Sequence, residues 1–246
     1  MDRYYPAENV SIPESPEDFS KRAGSYTGEY KMARSNYSGP EKLLSLSQRI
    51  KIRHEDSKLT IIYGDKSTQW VELHPLIFRN LNSKELLLFK ENQDKKIKYA
   101  FQENIPVTAL IKVPWFANQN IQLLIFVIVA LTFIIGCIVE IIYWVKDREL
   151  NKIFFAICIL NLLFIIGISI SISFLNSVPY KIPLLMKILL GIPLISLVLT
   201  IKYVYNLVRE WGRGNLNISN RIVGLYFSII SLLFILFLKY WNLILL

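Results

Sequence analysis

Four long apolar runs constrain this chain more than any other feature. They are Ile121–Val145, Ile153–Leu175, Pro183–Val208 and Ile222–Leu246. An α-helix needs about 20 apolar residues to cross a hydrocarbon core about 30 Å thick, and each run is that long. Everything before Trp115 differs: short β-like stretches, many charges and no long apolar run. The chain therefore reads as a membrane protein with a water-soluble N-terminal half. The expected class is α+β, a small antiparallel β-barrel of about eight strands followed by a four-helix transmembrane bundle.

The net charge of +9 raises the question of nucleic acid. Residues 1–117 hold 18 Lys and Arg against 15 Asp and Glu, whereas residues 118–246 hold 10 against 4. The excess thus sits around the apolar runs, where the positive-inside bias explains it. The soluble half has no dense basic patch with interleaved aromatics, so nucleic acid is not an expected partner. The lipid bilayer is.

Residues 1–22 read as a tail, because Pro6, Pro13 and Pro16 oppose regular structure. Asp2–Tyr5 reads as a helix end stopped by Pro6. Residues 23–113 read as the β-domain, with strands at Tyr26–Met32, Arg49–Arg53, Lys58–Tyr63, Thr68–Leu73, Leu76–Arg79, Glu85–Lys90, Lys98–Gln102 and Leu110–Val113. Glu41–Leu46 reads as a short helical or irregular connection. Regular spacing of short alternating strands with turn residues between them suggests a closed barrel or a sandwich. Tyr26, Tyr30, Ile61, Trp70, Phe78, Leu87 and Phe101 are the expected filling. Residues 114–120 form the junction, where Trp115-Phe116 suits an interfacial aromatic belt, as do Trp144 and Tyr240-Trp241 at other span ends.

Lys146, Arg148 and Lys152 lie between runs one and two, and Lys202, Arg209, Arg213 and Arg221 around the gap between runs three and four. The middle gap has only Lys181, with Lys187 nearby. The bias in Lys and Arg places the first and third gaps in the cytoplasm, and the β-domain and C-terminus outside.

Few residues suggest chemistry. Glu140 and Lys187 lie within the apolar runs and would serve a small transporter, although both sit near run ends, where snorkelling or pairing accounts for them. Gly191-Ile-Pro193 is a possible kink site. Cys137 and Cys158 both lie in apolar runs, so no disulfide framework is expected. His54 and His74 have no ligand partner at metal spacing, and no metal or cofactor is expected. No Ser-x-x-Lys, Gly-x-Ser-x-Gly or His-Glu-x-x-His occurs, so no catalytic residue is assigned. Tyr240-Trp-Asn242 has a Tyr-x-Asn form by coincidence of position.

Several segments together resemble a family. They are Tyr26-Thr-Gly-Glu-Tyr30 through Arg34, Glu41-Lys-Leu43, Trp70-Val-Glu-Leu-His-Pro-Leu-Ile-Phe-Arg79, Leu88-Phe-Lys-Glu91 and Lys112-Val-Pro-Trp115, with Gly191-Ile-Pro193, Trp211-Gly-Arg-Gly214, Arg221-Ile222 and Tyr240-Trp-Asn-Leu243 in the apolar half. In order and spacing these resemble the C-terminal region of membrane-anchored serine hydrolases of the β-lactamase-related, penicillin-binding-protein-like group of bacteria. The resemblance implies a lipocalin-like β-domain, then spanning helices, at the bacterial cell envelope. It also implies that the family's catalytic serine, lysine and tyrosine belong to a preceding domain, and no position here matches them. On that resemblance the chain is expected to be a non-catalytic anchor or accessory region, a truncated or split form without a signal peptide. Its partner would be a β-lactamase-like catalytic domain or chain. The alternative readings are a ligand-binding membrane sensor and the small transporter using Glu140 and Lys187.

Overall fold

A computed structural model describes residues 14–34, 39–46, 48–104, 108–147, 150–175 and 184–244. The expected residue 1–13 tail, Arg148, Lys181, Pro183 and the last two leucines lie outside the described residues. The chain divides into a β unit ending at Ile121 and a helical unit beginning at Gln122.

The β unit starts with a helix. Phe19, Ala23 and Tyr26 recur at helical spacing and form the buried face of α1 (Phe19–Tyr26). This corrects two expectations. Residues 19–22 are helical rather than part of an irregular tail, and Tyr26 ends this helix instead of opening the first strand. Gly28, at φ 135°, redirects the chain into β1 (Gly28–Met32).

Seven strands follow: β2 (Ile50–Glu55), β3 (Lys58–Tyr63), β4 (Lys66–His74), β5 (Ile77–Asn80), β6 (Leu86–Glu91), β7 (Ile97–Gln102) and β8 (Ala109–Lys112). A 3₁₀ segment, Pro40–Leu46, links β1 to β2. Each strand pairs antiparallel with the next, and β8 returns to β1 with Tyr30 opposite Lys112, so the barrel closes. Closure leaves no strand edge to be covered. The short turns use residues at positive φ: Asp56 at 52°, Gly64 at 58°, Leu76 at 72° and Lys95 at 56°.

Side chains alternate inward along most strands, as with Ile50 and Ile52, Leu87 and Phe89. β7 breaks the pattern. Lys90 pairs with Tyr99 but Glu91 with Ile97, so Lys98 is an extra residue in a bulge. Ile97 and Ala100, three apart, both point inward as a result. Phe101, expected inside, is 39% exposed outside.

The helical unit contains α2 (Gln119–Asp147, which begins in the β unit), α3 (Lys152–Leu175), α4 (Leu184–Leu189), α5 (Ile192–Gly212) and α6 (Ile218–Tyr240). At 29 residues, α2 extends about 43 Å. Among the described residues four stretches are long and apolar enough to cross a membrane: Gln119–Lys146, Lys152–Ser171, Met186–Gly212 and Ile218–Tyr240. The third expected span is thus two helices, interrupted at Leu190-Gly191, with Pro193 unable to donate a backbone hydrogen bond. The fourth begins at Ile218 and ends at Tyr240, earlier than the run Ile222–Leu246 suggested. Beyond Tyr240 the chain turns, with Asn242 at φ 54°.

Leu123, Ile135, Leu163, Val198 and Leu236 are all exposed on the helices. Apolar surface on this scale suits lipid rather than water as solvent. The protein is a membrane protein with four candidate spans.

Three glycines set how closely the helices pack. A methyl group on Gly136 would lie 2.7 Å from Cys158 Sγ. One on Gly167 would lie 2.6 Å from Leu189, and one on Gly224 2.6 Å from Leu207. Small residues let helices approach where no hydrophobic force drives them together.

Candidate functional site

The barrel interior is the first place to look for a ligand, since a barrel of this size is either filled by its own side chains or holds one small molecule. Here it is filled. Tyr30, Leu59, Trp70, Phe78, Leu87 and Ala100 are 0% exposed. Trp70 Nε1 donates to Thr68 Oγ1 at 2.8 Å, so its one polar atom is satisfied. Tyr26 lies 4.9 Å from both Phe78 and Phe89 by ring centroids, and Phe19 lies 5.9 Å from Phe78. Helix α1 thereby becomes part of the barrel's core. Ile61, expected inside, only packs against this core from a partly buried position.

Among the described residues the most deeply buried charged group is in the barrel. Glu72 is two residues beyond Trp70, so the alternation of β4 turns it to the same face, where it is 0% exposed. Arg22 of α1 meets it fork to fork: Nε lies 3.0 and 3.1 Å from the two carboxylate oxygens, and Nη2 2.6 Å from Oε2. Tyr26 Oη donates to Oε1 at 3.1 Å and accepts the Leu76 N–H at 3.2 Å. That last bond also holds Leu76 in its positive-φ turn. Asp18 pairs with Arg22 at the exposed end. Tyr30 Oη donates to the Tyr26 carbonyl at 2.7 Å.

The electrostatics follow from this geometry. The hydrogen bonds to Glu72, then to Asp18, hold Arg22 in its charged form. The bond from Arg22 draws the Asp18 carboxyl below its usual range. Burial pushes the Tyr26 phenol up to about 12 and raises Tyr30 as well. The Glu72 carboxylate is tied to two side chains of α1, Arg22 and Tyr26. It bolts α1 to the barrel.

The residues singled out from sequence are scattered. Glu140 Oε2 accepts the Asn151 N–H at 2.8 Å, just before α3. Lys187 is exposed on α4. Among the described residues no ion pair joins these two. His54 packs edge-on against Phe19 at 5.4 Å, and His74 is exposed. Cys137 and Cys158 are free thiols. Among the described residues, no group of three or more His, Cys, Asp or Glu gathers as for a metal.

The aromatic belt needs one correction. Trp115 is 77% exposed and Trp144 half-exposed. Trp241, by contrast, is 1% exposed, with Nε1 donating to Gln122 Oε1 at 2.7 Å. It is a buried clasp between the start of α2 and the end of α6.

Sequence reasoning did not single out Glu72, Arg22 or the Gln122–Trp241 pair. Glu72 left one usable signal, a charge in phase with Trp70 on an alternating strand.

Comparison with known proteins finds no matching family model, no similar curated protein and no similar solved structure.

Proposed function

We propose that this membrane protein is a non-catalytic anchor and accessory module for a serine hydrolase of the β-lactamase-related, penicillin-binding-protein-like group at the bacterial cell envelope. The barrel would dock the catalytic part, as a joined domain or a separate chain, and the four helices would hold it at the membrane. On this reading the barrel and the C-terminus lie on the extracytoplasmic side. The observation that carries it is the filled interior: Trp70, Tyr26, Tyr30 and Phe78 occupy the space a ligand would need. A solid, bolted barrel suits a docking body better than a carrier of small molecules. The sensor reading needs that same space. The transporter reading needs Glu140, which is engaged at the α2–α3 turn.

The test has two arms. The purified chain, exposed to a fluorescent penicillin and a fluorophosphonate, is expected to take up no covalent label; labelling would overturn the non-catalytic assignment. In bacterial membranes, photo-crosslinkers placed at the exposed Leu88 and Phe101 are expected to join the barrel to a penicillin-reactive domain or chain. Crosslinks to no such species would remove the hydrolase from the proposal.

A further inference from the structure

We infer that a lysine-lined cleft on the barrel rim, at the approach to the first span, binds the phosphate of an anionic phospholipid headgroup. The cleft has a volume of about 480 Å³ and is lined by Lys95, Lys96, Lys98 and Lys112 with Asn92 and Trp115. This assignment needs only a membrane protein and does not depend on the hydrolase reading.

The lysines converge because of local backbone geometry. Asn92 Oδ1 accepts the N–H groups of Asp94 at 3.0 Å and Lys96 at 2.9 Å, which closes the β6–β7 turn and presents Lys95 at positive φ. The bulge in β7 inserts Lys98. Lys112, at the end of β8, arrives from the neighbouring strand. Its ammonium donates to the Ser25 carbonyl at 2.5 Å and lies 5.9 Å from the Tyr30 ring centre. Half-burial pulls Lys112 below the ordinary lysine range, a cost that an anion beside it would offset. Asp94 is the acid on the turn, and Asn92 Nδ2 donates to it at 3.3 Å. Among the described residues none of the four lysines is in an ion pair.

Position selects the ligand. Trp115 precedes Gln119, the first residue of α2, by a single short segment, Trp115–Ala117 and Asn118. Gln119 donates its N–H to Glu29 Oε2 of β1 at 2.8 Å, so the start of the span is tied to the barrel. Trp115, one wall of the cleft, is thus four residues from the first residue of the apolar helix, where a span meets the headgroup layer. An exposed indole is at home at that depth, and ammonium groups serve phosphate as compact charges.

The full chain, purified in an uncharged maltoside detergent, would be titrated with dihexanoyl-phosphatidylglycerol, dihexanoyl-phosphatidylcholine and inorganic phosphate, with binding read by microscale thermophoresis. The anionic lipid is expected to bind at least about tenfold tighter than phosphatidylcholine, with affinity falling as salt rises. The Lys95→Gln/Lys96→Gln/Lys98→Gln variant is expected to lose about a hundredfold, near fivefold for each lysine. The matching triple Arg variant is expected to keep binding, with both variants melting like the parent. Equal binding of the two lipids, or unchanged affinity in the Gln variant, would overturn the site. Full competition by inorganic phosphate at equal concentration would overturn the lipid assignment in favour of a free-phosphate site.

Discussion

Arg22 and Glu72 stand 50 positions apart in the chain, yet the guanidinium Nε and Nη2 lie 3.0 and 2.6 Å from the two oxygens of the carboxylate. The Glu72 side chain is fully buried, while the Arg22 side chain keeps 24% exposure. A pair like this is costly to break from one side, because the remaining charge stays buried without its partner. Arg22→Ala is therefore expected to destabilise the β unit by about 3 kcal/mol. The double variant Arg22→Met/Glu72→Leu is expected to cost clearly less than the two single changes added together. Denaturant unfolding in detergent, followed by tryptophan fluorescence, would measure this cycle. Additive losses would show that the two residues act independently.

The filling of the barrel yields a second expectation. Trp70→Ala removes a fully buried indole from the barrel and should cost about 3–5 kcal/mol. The void it leaves is apolar on most sides, so added indole should raise the melting temperature of the variant and leave the parent unchanged. A parent protein stabilised by indole would reveal space the packing does not show.

Tyr26 gives a pH dependence. Its phenol is pushed from 10.0 to about 12 in the folded protein, first by burial. Below about pH 10 the phenol is neutral in both folded and unfolded chains and contributes no slope. Between about pH 10 and 12 the unfolded chain ionises while the folded one stays neutral, so stability is lost as pH rises. The loss attributable to Tyr26 is on the order of 2 kcal/mol by pH 12. Tyr26→Phe should flatten this limb, with the part due to Tyr30 remaining. Unfolding free energies measured across that range would decide the matter; identical slopes would refute the assignment.

Gly136 offers a test within the helical unit. A methyl group there meets Cys158 Sγ at 2.7 Å and the Phe154 ring at 3.2 Å. Gly136→Ala is expected to cost about 1–3 kcal/mol through overpacking. Cys158→Ala in the same chain should recover part of that loss. Gly167→Ala and Gly224→Ala should cost less, since each meets the movable end of a leucine, Leu189 or Leu207. Thermal melts of the purified variants would rank them.

The errors in the sequence reading have physical causes. Helix α1 carries its apolar signal in Phe19, Ala23 and Tyr26 only, and the prolines before it suggested an irregular tail. Phe101 points outward because a bulge at Lys98 shifts the phase of β7 by one residue, and nothing local announces that shift. Trp241 ends a span whether it faces headgroups or Gln122, so composition alone cannot separate the two. The break in the third span was legible, because Gly191-Ile-Pro193 weakens a helix through its own backbone chemistry.

What the sequence determined by itself is local and periodic. Apolar runs longer than a bilayer is thick require helices in lipid, and period-two strands with turn residues between them require a sheet. Tertiary structure decided everything that depends on residues distant in the chain: the closure of β8 onto β1, the plugging of the barrel by α1, the Arg22–Glu72 fork and the gathering of Lys95, Lys96, Lys98 and Lys112. Periodicity is a property of neighbours along the chain. A site is made of neighbours in space, and strand register and helix docking choose them.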